Sequence, residues 1–305
     1  MTNKTAMEGN FSLETSLLQV EVVAALVVIN LFFSITASLG NFLILISFCK
    51  VSTIFPPTKL MFRCLAFTDL CVGLISQPLF VYNLLSHESY FNFSVSVVIQ
   101  ITSMCFLCGL SLLTATAISV DRLLALYLGL RYRQVVTLRR VQATLVSFLF
   151  FNFAFLGSVF VIDRVPQSIY LAMMLVSLVI SAFSYIKIYI RLRYQLLHVQ
   201  GHVQQHPATN GFVATALNLA RYKRTVSTIA WVQLGLFACY LPFSVYFMMF
   251  IKEPAVIPEM FEYTVLSLVY LNSSLNPILY CWKIRDVKQA MKDAIRQLCS
   301  CREPN

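Results

Sequence analysis

The sequence predicts an all-α membrane protein, a bundle of seven transmembrane helices with a short amphipathic eighth helix on the inner leaflet. Two observations support this prediction: seven long apolar stretches lack charged residues, and the positive charges gather in alternate connections. An α-helix rises about 1.5 Å per residue, so about 20 apolar residues cross the ~30 Å hydrocarbon core of a bilayer. The stretches without Asp, Glu, Lys or Arg are residues 22–49, 70–87, 89–120, 141–162, 165–186, 225–251 and 263–282.

The positions of the lysines and arginines predict the orientation of the bundle. All of the 23 except Lys4, Arg164 and Lys252 fall on the side that holds the C-terminus. The positive-inside rule places that side in the cytoplasm and the N-terminus outside. This segregation explains the net charge of +10, so nucleic acid is not expected as a partner. The predicted organisation is an extracellular tail over 1–21, a seven-span domain over 22–282 and a cytoplasmic segment over 283–305, in the plasma membrane.

Two connections on the predicted inner side have distinctive compositions. Pro56 and Pro57 are expected to end the first helix. Residues 194–220 also lack charge but are rich in His and Gln, which is typical of a solvated loop. No internal repeat is visible, and this disfavours a transporter.

Modification sites are predicted at both ends of the chain. Asn3, Asn10 and Asn92 begin Asn-x-Ser/Thr triplets on the predicted outer side, and we expect them to be glycosylated. Residues 283–298 carry apolar side chains at helical spacing between basic ones, which predicts a helix lying on the inner leaflet. Cys299 and Cys301 follow it and are expected to be acylated; the alternative is two unmodified thiols. None of the nine cysteines falls in an outer connection, so no disulfide is expected there.

Asp69 is the one acid well inside a predicted span. A charge within the membrane is costly and usually marks a functional site. We therefore expect a cation or proton site, rather than a buried acid that only fixes helix packing.

Two further motifs lie near the inner ends of spans. Asp121 can hold the side chain of the adjacent Arg122 sideways and then release it towards a partner. The alternative is that Arg122 only snorkels to the membrane interface. In the seventh span, Pro277 removes a backbone donor beside Asn276, which predicts a deformable point, and Tyr280 follows on nearly the same face.

Together these motifs resemble those of rhodopsin-like G-protein-coupled receptors, and the resemblance covers essentially the whole chain. The matching residues are Asn41 in the first span, Asp69 in the second, Asp121 and Arg122 in the third, Tyr185 in the fifth, Pro242 in the sixth, and Asn276, Pro277 and Tyr280 in the seventh.

The resemblance implies a receptor that transmits the binding of an extracellular ligand to a heterotrimeric G protein. Arg122 would contact the G protein after the sixth helix swings outward, and Tyr185 and Tyr280 would stabilise that open state. An allosteric sodium ion, with no other cofactor, would favour the inactive state. Its site would be lined by Asp69, Ser111, Asn272, Ser273 and Asn276.

The chain also departs from the family pattern. Leu123 replaces the usual Tyr after Asp-Arg, Tyr240 replaces the usual Trp of the sixth helix, and Ser177 stands near the usual Pro of the fifth. The usual Trp of the fourth helix is missing, and Val97 stands where the usual Cys of the third helix would be. The inner end of the sixth helix carries no acid to pair with Arg122, which predicts ligand-independent signalling. The short second outer loop and the missing disulfide resemble melanocortin receptors and parts of the lipid and cannabinoid receptor group.

The candidate ligand pocket is apolar. The upper third helix has no acid to anchor an amine, no Lys lies between Glu262 and Lys283 to bind retinal, and Phe247 stands where adenosine receptors keep an Asn. A lipophilic or aromatic ligand suits the expected lining, while the acidic residues Glu253, Glu259 and Glu262 leave a cationic peptide open. The predicted lining is Met104, Cys105, Cys108, Met173, Met174, Tyr240, Phe243, Phe247, Leu266 and Tyr270.

Two other function classes remain open at this point. One is a receptor-like scaffold that does not signal, and the other, less favoured, is a transporter or channel. The sequence contains no hydrolytic or redox constellation, so an enzyme is not predicted.

Overall fold

The fold is that of a computed structural model, which describes residues 2–51, 54–86, 94–159, 165–205, 231, 234–249, 259–283, 288–293 and 296. Nearly all of these residues are helical. The helices are α1 (Thr2–Lys50), α2 (Pro56–Cys71), α3 (Gln77–Leu85), α4 (Val95–Leu128), α5 (Tyr132–Val135), α6 (Leu138–Val159), α7 (Val165–Gln205), α8 (Leu234–Met249) and α9 (Glu259–Lys283).

Several of these helices are long and apolar enough to cross a membrane. In the described part of the chain, five segments meet both criteria: Gln19–Lys50, Pro56–Leu85, Val95–Val135, Leu138–Ser158 and Ser168–Gln195. The other two predicted spans correspond to the apolar helix α8 and to the 25-residue α9. The protein is therefore a helical, multi-pass membrane protein.

Helix α4 lies at the centre of the packing, against α2, α6 and α7, while α1 packs against α2 and α9. Large side chains such as Phe80, Tyr240 and Tyr270 are fully buried between helices. Apolar side chains on the other faces, such as Phe32 on α1 and Phe183 on α7, are more than half exposed. Apolar residues both inside and outside are what a bundle surrounded by hydrocarbon requires.

A π-helical turn, Val72–Ser76, joins α2 to α3 within one continuous rod. In this turn the Gln77 N–H donates to the Val72 carbonyl oxygen, five residues back. Pro78 follows directly and has no N–H to continue the regular α-helical ladder. Such turns occur frequently at functional sites, and this one begins three residues after Asp69.

The helix ends differ from those predicted by charge-free stretches. Helix α2 passes through Arg63 and Asp69, and α4 continues past Asp121 and Arg122. Asp69, Asp121 and Arg122 have hydrogen-bond partners on other helices, so these charges do not interrupt the helices. The prediction that the two prolines end the first helix was wrong. Helix α1 ends at Lys50, and the prolines occupy the first turn of α2, where their missing N–H groups cost nothing. Helix α7 also continues to Gln205, into the stretch predicted as a loop.

One glycine permits close contact between α1 and α9. A Cβ atom built on Gly40 would lie 2.7 Å from the Cβ of Pro277, whereas one built on Gly157 in α6 would meet nothing within 4 Å. Gly40→Ala should therefore destabilise the receptor by about 1–3 kcal/mol through overpacking. Gly157→Ala should stabilise it slightly, since alanine favours a helix. Thermal unfolding of the two variants checks this prediction, and an unfolding midpoint for Gly40→Ala at or above that of Gly157→Ala would contradict it.

Candidate functional site

Three polar side chains converge on the Asp69 carboxylate in the middle of the bundle. The Ser111 hydroxyl donates to Oδ1 over 3.0 Å and the Ser273 hydroxyl donates to the same oxygen over 2.9 Å. The Asn276 amide donates to Oδ2 over 2.6 Å. Asp69 itself is 0% exposed. The acid thus joins α2, α4 and α9 at one point, and Asn272 is buried on the same helix as two of its partners.

The Asp69 cluster contains the kinds of oxygen atom that can bind a sodium ion. Hard cations prefer carboxylate, hydroxyl and amide oxygens, and the cluster offers Asp69 with two serine hydroxyls and the nearby carboxamides. No group of three or more His, Cys, Asp or Glu side chains that could hold a metal occurs among the described residues. The oxygen donors of the Asp69 cluster carry a single negative charge, and their chemistry is compatible with a monovalent cation.

The side chains of Asp121 and Arg122 form an ion pair at the predicted inner end of α4. Arg122 Nη2 donates to Asp121 Oδ2 over 2.5 Å and to the Thr58 hydroxyl over 2.7 Å. The Tyr132 hydroxyl donates to Asp121 Oδ1 over 2.6 Å, and Thr58 donates to Oδ2 over 3.1 Å. Asp121 is only 3% exposed and Arg122 is 21% exposed. The guanidinium is thus directed sideways, towards α2 and α5.

Thr58 and Tyr132 belong to this network, but they were not singled out from the sequence. Tyr132 is held by a ring contact with Phe55, at 5.4 Å between centroids, so α5 covers the acid. The Nε atom of Arg122 is buried and has no hydrogen-bond partner within the described residues. Leu123, which replaces the family's tyrosine, packs instead against Ile188 and Leu192 of α7.

The remaining activation residues lie in different environments. Pro277 packs on α1 at Gly40, inside the helical run of α9. Tyr185 is partly buried on α7. The side chain of Tyr280 lies outside the described residues.

The residues of the predicted ligand pocket belong to one apolar core that extends through the bundle, or pack against it. The Tyr240 hydroxyl donates to the Cys108 carbonyl oxygen over 3.3 Å, which joins α8 to α4. The rings of Phe243 and Phe247 stack at 5.8 Å. Met104, Met174, Leu266 and Tyr270 are buried, and Cys105, Met173 and Phe247 are partly buried.

A chain of uncharged polar groups borders this core and was missed from the sequence. Asn83 donates to Gln100 over 3.4 Å, Gln100 donates to the Tyr270 hydroxyl over 3.1 Å, and that hydroxyl shares a hydrogen bond of 3.0 Å with Ser76. The Asn83 Oδ1 atom is buried and has no partner among the described residues. Amides inside otherwise apolar spans were the signal that could have identified these positions, since they are costly in hydrocarbon.

Further amides lie where α1 meets α3 and α9. Asn30 donates to the Ser267 hydroxyl over 2.7 Å, but its Oδ1 atom has no partner in the described part of the chain. Gln77 is 0% exposed, and neither its Nε2 nor its Oε1 atom has a hydrogen-bond partner among the described residues. One turn towards the inner side, Ser34 donates to the Gly73 carbonyl oxygen over 2.7 Å.

A cavity of about 880 Å³ lies elsewhere, in a groove between α4, α6 and α7. Of the predicted pocket residues it includes only Met173. The groove is therefore separate from the predicted ligand pocket, apart from Met173.

The predicted modification sites fall largely outside the described residues. Asn92, Cys299 and Cys301 are among the residues not described, as are the side chains of Asn3 and Asn10. Residues 288–293 of the predicted amphipathic helix are helical.

Comparisons with known proteins agree with this architecture. Residues 40–165 match the family model described as "7 transmembrane receptor (rhodopsin family)". The chain is 31% identical to the histamine H2 receptor of Canis lupus familiaris over 262 residues, which cover 78% of this chain and 69% of that receptor. It is 27% identical to the adenosine receptor A3 of Ovis aries over 263 residues, 78% of each chain. These relatives are receptors, not enzymes. The chain thus belongs to the rhodopsin family of seven-transmembrane receptors.

Proposed function

We propose that this receptor resides in the plasma membrane with its N-terminus outside, and transmits binding of an extracellular ligand to a heterotrimeric G protein. The observation that supports it best is the Asp121–Arg122 pair, which lies at the same end of the bundle as most of the positive charges. An arginine held by an adjacent acid can exchange that partner for another when the helices around it move. Membership of the rhodopsin family also supports signalling from an extracellular ligand to a G protein.

Three structural features support a two-state mechanism. Arg122 is held through Asp121 and Thr58 on one side and retains a buried Nε donor without a partner among the described residues. Pro277 interrupts the hydrogen-bond ladder of α9, so that helix can bend. The Asp69 cluster joins α2, α4 and α9 between the outer and inner ends, so its rearrangement would couple them.

The proposed sodium site consists of Asp69, Ser111, Asn272, Ser273 and Asn276. A bound sodium ion would add a positive charge beside the buried carboxylate and stabilise the arrangement in which it binds. The fit rests on the two serine hydroxyls that already approach Asp69 Oδ1.

The proposed ligand is a lipophilic or aromatic small molecule in the core between α4, α7, α8 and α9. The soft, apolar side chains there suit such a ligand. The relatives named for adenosine and histamine suggest smaller polar ligands. This chain, however, has Phe247 in place of the adenosine-receptor Asn and no acid in residues 101–109. A cationic peptide on the outer rim is the second candidate, favoured by the exposed Glu259 in the first turn of α9, whereas Glu262 in the same turn is buried.

The inner surface would be completed by the amphipathic helix over 283–298, lying on the inner leaflet. Cys299 and Cys301 would carry acyl chains next to it, and Asn3, Asn10 and Asn92 would carry glycans outside. The sequence pattern supports each of these assignments.

Basal second-messenger output in cells tests the proposed function. We expect a ligand-independent signal from the wild-type receptor and its loss in Arg122→Ala at matched surface level. Arg139→Ala, at an exposed arginine on α6, is the matched control and should signal like wild type. A basal signal that survives Arg122→Ala would contradict coupling through this residue. Silence of the wild type under every G-protein readout would contradict ligand-independent signalling and leave either a strictly ligand-dependent receptor or the receptor-like scaffold.

A further inference from the structure

The groove between α4, α6 and α7 is built from one continuous face of each helix. On α4 the lining residues recur at spacings of three and four: Leu113, Thr116, Ala117, Val120 and Leu124. On α7 the same spacing links Ile169, Ala172, Met173, Val176 and Ile180. Residues with this spacing share one side of a helix. The groove therefore runs parallel to the helix axes.

The third wall is α6, whose small side chains give the groove its depth. Thr144 and Ser147 line it at levels where a larger side chain would fill the space, and Phe148 and Phe151 lie above them. Thr144 and Ser147 are both exposed, and Val176 and Ile180 on the opposite wall are 56% and 41% exposed. The groove is thus open sideways, towards the hydrocarbon.

The length of the groove along α6 matches one leaflet of a bilayer. Arg140 and Phe151 are eleven residues apart and both line it, so the wall rises about 16 Å, roughly half of the ~30 Å hydrocarbon core. Above the polar lower end, the lining is almost entirely apolar. A hydrocarbon chain entering from the predicted inner leaflet would be covered along most of its length.

The lower end of the groove is positively charged. Arg140 is an exposed lining residue, and one of its five donors binds the Val135 carbonyl oxygen over 2.7 Å. Arg139, Arg133 and Arg131 are exposed at the same end.

The acid among the lining residues is Asp121. It is buried and accepts hydrogen bonds from Arg122, Tyr132 and Thr58. The accessible charge at this end is therefore cationic.

From this geometry we infer that the groove binds one phospholipid of the inner leaflet, with an acyl chain along α4, α6 and α7 and an anionic headgroup at Arg140. The site is distinct from the ligand pocket and does not depend on G-protein coupling. Juxtamembrane arginines attract anionic lipids by about 1 kcal/mol each, which corresponds to roughly a fivefold preference.

Native mass spectrometry of the purified receptor tests this inference. The receptor is equilibrated with equal amounts of phosphatidylglycerol and phosphatidylcholine that carry the same acyl chains. We expect one retained lipid per receptor, with phosphatidylglycerol favoured about fivefold. Arg140→Gln should remove most of this preference, whereas Arg139→Gln, outside the lining, should leave it intact.

A second pair of variants tests the acyl-chain site. Thr144→Phe should lower retention of both lipids by filling the groove. Ala143→Phe, on the neighbouring exposed position outside the lining, should not. Equal retention of the two lipids, or retention unchanged in both Arg140→Gln and Thr144→Phe, would overturn the proposal. Displacement of the phospholipid by cholesterol at equal concentration would also overturn it, because it would identify a sterol site.

Discussion

Replacing Asp69 with leucine should lower the free energy of unfolding by several kcal/mol. The variant leaves the donors of Ser111, Ser273 and Asn276 buried without the carboxylate that accepts from them. A buried donor left unsatisfied costs about 1–3 kcal/mol. Thermal unfolding of the purified receptor measures the loss.

Asp69→Asn is the matched control, because it keeps the shape of the side chain and one acceptor oxygen. We expect a smaller loss of stability from it. Sodium should raise the unfolding midpoint of the wild type relative to choline at equal ionic strength, and should raise that of neither variant. A leucine variant as stable as the wild type would contradict a central role for the cluster. A sodium response of Asp69→Asn equal to that of the wild type would contradict the proposed sodium site, but not the structural role of the cluster.

Replacing Asp121 with asparagine should raise basal signalling. The carboxylate accepts hydrogen bonds from Arg122, Tyr132 and Thr58. Under the proposed mechanism, the bond from Arg122 keeps the guanidinium from contacting a cytoplasmic partner. A hydrogen bond to a charged group contributes about 1.5–3 kcal/mol. Losing one such bond would shift the equilibrium between the two states of the receptor about tenfold or more. Basal second-messenger output at matched surface level measures the effect.

Two further variants separate the causes. Tyr132→Phe removes only one donor and keeps the Asp121–Arg122 pair, so its basal output should rise less. The double variant Asp121→Asn with Arg122→Ala should be silent, since the freed arginine is the proposed contact. Basal output of Asp121→Asn at or below that of the wild type would show that the pair does not restrain the receptor.

The sequence alone predicted the number and order of the apolar helices, because length and the absence of charge are sufficient to mark a span. It could not predict their ends. The charge-free stretches begin after Asp69 and end before Asp121, yet α2 and α4 continue past these residues because side chains distant in sequence supply partners for Asp69 and Arg122. The prolines were assigned to the end of α1 rather than the start of α2, since proline is compatible with both positions.

The candidate site was predicted only in part, for a related reason. Asp69 and Arg122 carry charges that are conspicuous in an apolar sequence, so they could be found one residue at a time. Gln77, Asn83 and Gln100 are also unusual there, but their proximity to Tyr270 depends on how α3, α4 and α9 pack. The groove depends on small residues such as Thr144. No local sequence pattern shows that a small side chain leaves a cavity between helices.

The π-helical turn at Val72–Ser76 changes which face of this rod each later position occupies. The extra residue rotates every side chain beyond it by about 100° relative to a regular helix. A residue of α3 that is placed by regular helical counting from Asp69 would therefore be assigned to the wrong face. Tyr82 and Asn83 illustrate the difference, because the first is 57% exposed and the second is 4% exposed. Periodicity arguments that assign residues of α3 to the core or to the lipid should therefore be shifted by one position after Ser76.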